Sequence, residues 1–295
     1  VVSVLYRVSA IPVGWYITHA NTKGPWIPSA IEALKLLGDA TPKHMSVVVM
    51  TDRGLWCPRL WKQIVALGWH PVMRIRGDSV FQPIGGTRLK AVKLMPGPGH
   101  AWIGTGCAFR AKNKLRFVTL IVVCDEAQKE PWIVLTDLAP EHVGVSWYGL
   151  RMWIDLGFRA LKGVKWQWHK TRRTDPDRAA RHWLVLSVAT PWVMAYGTRA
   201  EDADSLGRTP DRLRSPCVAL HSEPSRPGCP SLNTTRLASV FRVGITSLIR
   251  QLHKGRMWRR LWLIPLLPRL KCKLLVVGVP NCSSFSNTYP NQMSQ

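Results

Sequence analysis

Acidic residues are scarce in this chain. Seventeen Asp and Glu stand against 41 Lys and Arg in 295 residues, a formal net charge of +24. Such a surplus favours a polyanionic partner, with a merely soluble basic protein as the bland alternative. The seven cysteines, at 57, 107, 124, 217, 229, 272 and 282, make no Cys-x2-Cys unit and no Cys/His spacing suited to zinc. They argue against a zinc module and for reduced thiols in a cytosolic protein. None of the nine histidines has the paired spacing of a metal site. No Lys-Ser/Thr follows Gly85-Gly86 or Gly97-x-Gly99, so both read as hairpin turns, not phosphate loops. The longest apolar run, Trp183 to Gly197, contains Pro191 and falls short of the ~18 to 20 residues a spanning helix needs. It is expected to be a buried core helix. There is no secretory leader and no internal repeat, and the chain starts at Val1 instead of Met, as a fragment would.

What is present is organised by one predicted helix. Tyr148, Arg151, Asp155 and Lys162 fall within an arc of roughly 60° at about 100° per residue, which puts one hydroxyl, two cations and one carboxylate on one face. Trp147, Leu150, Ile154, Phe158 and Leu161 form a second stripe that would bury the helix against a core. A hundred or so residues earlier, the β run Ser46-Val-Val-Val-Met50 leads into Thr51-Asp52-Arg53-Gly54. A strand-end Asp and a helix Asp that meet in space would form a hard-oxygen site for a divalent metal.

The Tyr-x2-Arg-x3-(Glu)-x6-Lys pattern, with Asp155 in the Glu position, resembles the signature of bacterial insertion-sequence transposases of the DDE type, in the insertion-sequence-four family. Arg53-Gly54-Leu55, Gly68-Trp69-His70-Pro71, Arg74-Ile75-Arg76 and Trp132 to Leu138 fit the same resemblance. So do Arg172, Asp175-Pro176-x-Arg178 and the apolar run to Gly197. The resemblance covers roughly residues 1 to 200. It implies an α/β fold, a ribonuclease H-like mixed sheet flanked by helices, with a β-rich insertion at about 72–130. Residues 201–295 are expected to form a basic linker and tail, partly disordered. The family's first catalytic Asp lies on a strand before the equivalents of Val1 to Val8, and this chain offers no candidate for it.

Along the chain, Val1 to Val8 and Ile11 to Ile17 read as strands, Ile27 to Gly38 as a helix, and Ser46 to Met50 as a strand. A helix starting at Pro58 and stopping at Gly68 follows. Short β runs come next at Val72 to Ile75, Leu89 to Leu94, Ala101 to Phe109 and Leu115 to Val123, before Trp132 to Thr136 and the signature helix. Asp202 to Thr235, rich in Pro, Ser, Gly and Arg, reads as linker. Ser239 to Leu252 could make a short helix, and Arg256 to Lys273 alternates cations with Trp and Leu.

Two readings stand beside each other at most sites. Asp52 is either a capping residue or a metal ligand. Asp137, also a Thr-Asp after a strand, is taken as structural. Trp153, Trp166 and Trp168 are expected to pack, not to stack on bases. By the resemblance, Asp52 and Asp155 are catalytic metal ligands, and Tyr148, Arg151 and Lys162 contact DNA near the scissile phosphate. The cofactor implied is Mg²⁺ or Mn²⁺ as a pair about 3.5 to 4 Å apart. The partners implied are duplex DNA, as transposon ends and target, and a second copy in a synaptic complex, with no membrane. The setting would be the bacterial cytoplasm, at the nucleoid. The function expected is transposition by phosphodiester cleavage and strand transfer, in a truncated or degenerate copy. A non-catalytic DNA-binding remnant and another metal-dependent nuclease are the alternatives.

Overall fold

The computed structural model describes residues 1–17, 26–95, 97–110, 113–124, 130–162, 166–171, 174–206, 239–253 and 274–279, the last by backbone alone. Most of the Asp202 to Thr235 stretch, the Arg256 to Lys273 run and Arg172 lie outside these residues. The chain opens with a hairpin, β1 (Val2–Tyr6) and β2 (Ser9–Gly14), followed by helix α1 (Trp26–Ala40). Strand β3 (Ser46–Thr51), helix α2 (Pro58–Ala66) and strand β4 (His70–Arg74) form a parallel crossover unit. Strands β5 (Val80–Pro83), β6 (Leu89–Lys90), β7 (Ala101–Ala108), β8 (Leu115–Val123) and β9 (Trp132–Thr136) come next. Helices α3 (Met152–Lys162), α4 (Pro176–Leu206) and α5 (Val240–His253) and strand β10 (Leu274–Val279) complete the described elements.

The result is an α/β fold on one mixed sheet of ten strands among the described residues, in the order β2-β1-β10-β3-β4-β9-β8-β7-β5-β6. Strands β10, β3 and β4 run parallel, and the other pairings are antiparallel. The β-rich region after β4 does not form a layer of its own. It continues the central sheet outward, because β9 pairs directly with β4 and β8 with β9.

Strand β3 shows why the sheet is covered on both faces. Successive residues of a strand point to opposite sides. Val47 and Val49 join a core with Ile31 and Leu34 of α1 and Leu60, Trp61 and Ile64 of α2. Val48 and Met50 join the opposite core, with Val72, Tyr148, Trp153 and Ile154. All four are fully buried, which accounts for the unbroken apolar run in the sequence.

Three expectations are corrected. Residues Leu274–Val279, assigned from sequence to the basic tail, form β10 and lie between β1 and β3 in mid-sheet. A six-residue apolar run carries no local signal for its partners, and here those partners are the strands of the first 51 residues. A division at residue 200 does not match the elements either, since α4 continues to Leu206 and α5 packs along it. The Trp183 to Gly197 segment is helical but only half buried. Trp183, Leu186, Val193 and Met194 face inward, whereas Leu184, Val185 and Val188 are exposed. No described helix is long and apolar enough to cross a membrane.

Helix α3 sits close to the sheet edge because Gly157 leaves room for it. A Cβ there would stand 2.7 Å from the Ala10 Cβ of β2. Gly157→Leu should therefore push α3 off the sheet and destabilise the fold by about 1 to 3 kcal/mol or more, as overpacking does. Chemical denaturation of the variant against the parent chain checks this, and an unchanged midpoint would mean that α3 is not docked as described.

Candidate functional site

The carboxyl ends of β3 and β4 and the start of β9 open on one edge of the sheet, the usual place for a ligand in an open α/β fold. Asp52 follows the last residue of β3 directly. Its Oδ1 accepts the Arg53 backbone N–H at 2.7 Å and caps the short 3-10 turn Arg53–Leu55. The capping role weighed from sequence is thus real, and it leaves the other carboxylate oxygen available. That oxygen, Oδ2, faces the Arg151 guanidinium at 3.9 Å.

Arg151, the residue before α3, reaches Asp155 in its first turn with its second terminal nitrogen, Nη2 to Oδ2 at 3.3 Å, as an i,i+4 pair. Two carboxylates that are remote in sequence therefore share one guanidinium. Lys162 ends the same helix, seven residues or about 10 Å beyond Asp155. The core stripe also has the expected phase: Ile154 and Leu161 are buried, and Trp147, Leu150 and Phe158 pack against the same cores.

Tyr148 requires a correction. It does not belong to the α-helix, because residues Val145–Arg151 form a 3-10 segment and α3 begins at Met152. Gly149 in the middle of the segment is a poor helix former, and the tighter winding turns the Tyr148 ring inward. The ring is 3% exposed and packs edge-on to Trp132, with centroids 5.4 Å apart. Its hydroxyl donates to the Thr51 carbonyl at 3.4 Å. Burial pushes the phenol well above its ordinary range, and the nearby Asp52 carboxylate pushes in the same direction. A protonated Tyr148 ties the segment before α3 to the end of β3, with its ring in the core and not on the polar face expected for it.

Three further side chains on this edge were not singled out as site residues in the sequence. Glu130 precedes β9, and its Oε2 receives both Arg53 Nη1 at 3.0 Å and Arg74 Nη2 at 3.4 Å. Arg53 and Arg74 were visible as parts of motifs. Glu130 carried no signal, because its role depends on β9 pairing with β4.

Asp137 stands at the opposite edge, where it meets the His70 Nδ1 at 3.2 Å. From His70 to Arg74 is four residues of strand, roughly 13 Å. Burial raises the Asp137 carboxyl, and His70 offsets part of that. The structural role expected for it fits this position. Trp153 is a core residue, Trp166 packs on Phe241 and Trp168 on Trp183.

The divalent metals implied by the resemblance would meet two carboxylates here, Asp52 and Asp155, both of which face Arg151. The single positive charge of Arg151 offsets one of their two negative charges, and Oδ1 of Asp52 is already engaged by the Arg53 N–H. Among the described residues no three His, Cys, Asp or Glu side chains converge on a metal position. No protein-family profile matches the chain, and no curated protein matches it.

Removing the guanidinium should release the carboxylate pair. Arg151→Ala is expected to bind Mn²⁺ more tightly than the parent chain, with the gain lost on adding Asp52→Asn; titration followed by electron paramagnetic resonance measures it. Ile154→Ala, by contrast, should cost about 2 to 5 kcal/mol through cavity formation. If Arg151→Ala unfolds the chain while Ile154→Ala is harmless, the assignment of helix faces is reversed.

Proposed function

We propose that this chain is of the DDE transposase lineage, with a ribonuclease H-like core, and that its own activity is binding duplex DNA across the edge carrying Asp52, Arg151 and Asp155. The observation that carries this is the meeting of a strand-end Asp and a helix Asp, far apart in sequence, at one arginine. These are the two positions that the resemblance marks as catalytic. The surplus of 24 positive charges supplies the attraction to phosphate.

Transposition itself, with end cleavage and strand transfer, is the function of the lineage. Two features favour a non-catalytic DNA-binding remnant for this chain. The resemblance puts the first Asp on a strand adjoining β1, and the place beside β1 and β3 is taken by β10. The sequence of β10, Leu-Leu-Val-Val-Gly-Val, contains no carboxylate. The third position carries Asp155, one methylene shorter than Glu. A misplacement on the order of 1 Å in a catalytic group can cost about a hundredfold. A second copy in a synaptic complex and a place at the bacterial nucleoid, in the cytoplasm, belong to the same proposal.

Binding to a duplex of arbitrary sequence should be tight at low salt and weaken steeply towards physiological salt, because phosphate contacts release condensed counterions. Fluorescence anisotropy measures it, and a flat salt response would remove the nucleic-acid assignment. With Mg²⁺ present the same duplex should remain uncut. Cleavage abolished by Asp52→Ala would restore the catalytic reading.

A further inference from the structure

We propose that Arg53 and Arg74 form a phosphate-binding fork which Glu130 occupies as an internal stand-in for the phosphate. This rests on the DNA-binding proposal and assigns one anchor point within it. The two arginines come from different elements, Arg53 from the turn after β3 and Arg74 from the end of β4. Their guanidiniums converge on one oxygen, Glu130 Oε2, at 3.0 and 3.4 Å. Two guanidiniums aimed at one anionic oxygen are the donor set that recognises a phosphate group.

The members of the fork differ in exposure in a way that suits exchange. The Arg74 side chain is 17% exposed, and Nη2 also donates to the Pro131 carbonyl at 3.5 Å, so this arm is held in place. The Arg53 and Glu130 side chains are 51% and 61% exposed. Ion pairs this open are worth about 0.2 to 1 kcal/mol, little enough for an incoming phosphate to replace the carboxylate. Displacement costs two weak pairs and yields two charge-assisted contacts to a doubly acceptor-rich anion. Arg53 also adjoins Asp52 in the chain, so a phosphate on the fork would place the DNA backbone next to the Asp52–Arg151–Asp155 cluster. Glu130 thus competes with DNA for the fork and lowers the affinity of the free protein.

The experiment uses the full chain and a fluorescent duplex oligonucleotide at fixed low salt, with anisotropy as readout. Glu130→Gln keeps the shape and removes the competing charge, and it should tighten binding about two- to fivefold, the ratio set by losing one or two exposed pairs. Glu141→Gln neutralises an exposed acid beyond the far end of β9 and controls for the change in net charge; it should alter binding much less. In an Arg53→Gln or Arg74→Gln background the Glu130→Gln gain should disappear. Competition by inorganic phosphate should weaken duplex binding more in Glu130→Gln than in the parent chain. If the parent chain binds duplex but Glu130→Gln gains no more than Glu141→Gln, or keeps its gain without Arg53, the fork is wrong while DNA binding stands. Failure of the parent chain to bind any duplex at low salt overturns the DNA-binding proposal, and the fork with it.

Discussion

Burial of β3 on both faces is the constraint on which the rest of the molecule depends. Four consecutive apolar residues, Val47 to Met50, have no exposure to solvent, so helices must be supplied to each side of the strand. Helices α1 and α2 cover the side of Val47 and Val49, and α3 with its preceding 3-10 segment covers the side of Val48 and Met50. Because α3 is pressed against that second face by Trp153 and Ile154, its polar stripe emerges at the sheet edge where β3 ends. Asp52 is the first residue past the buried run. The site is therefore a consequence of core packing: the residues that face the core fix the azimuth of the helix, and the azimuth brings Arg151 and Asp155 to Asp52.

The electrostatics of this edge differ from those of the chain as a whole. A protein with more than twice as many cations as anions has few carboxylates to distribute, yet three of them meet three arginines here. Stability is a weak explanation, because pairs this exposed contribute on the order of 1 kcal/mol or less each. What the pairs fix is the placing of the arginines where β3 and β4 end and β9 begins. Each guanidinium is oriented and partly neutralised by its carboxylate partners. Tyr148 supports the arrangement from beneath, with a hydroxyl that stays protonated and joins the β3 carbonyl to the site segment.

Much of this was legible in the sequence, for reasons that are local. The start of α2 at Pro58 and its stop at Gly68, the apolar run of β3, the short β runs of β7 and β8 and the buried stripe of α3 are signals read within a single element, whereas α1 runs two residues past the stop expected at Gly38. The pairing of Asp52 with the α3 face was legible because the residues at both ends are chemically unusual for their positions. Features set by long-range pairing were not legible. The place of β10 is defined by backbone hydrogen bonding to β1 and β3, and nothing in Leu-Leu-Val-Val-Gly-Val names those partners. Glu130 enters the site only because β9 returns beside β4. The 3-10 winding of residues 145–151 inverted the role of Tyr148, since an ideal helix phase carried through Gly149 assumes a regularity that the backbone does not keep.

The identity of residue 155 connects these observations. A carboxylate meant to share a small, hard cation with Asp52 must approach to about 2.1 Å of the ion, with near-octahedral geometry. A guanidinium is broader, and it offers a different nitrogen to each partner, Nη1 to Asp52 and Nη2 to Asp155. With the shorter Asp at position 155, the carboxylate is withdrawn towards its own helix, within reach of Arg151 one turn earlier. The short side chain at position 155 therefore suits the arginine, which meets the two carboxylates at 3.9 and 3.3 Å. One guanidinium offsets only one of these two carboxylates, and the edge is neutral only when Arg53 and Arg74, which outnumber Glu130 by one, are counted with it, so the two clusters complete each other's charge.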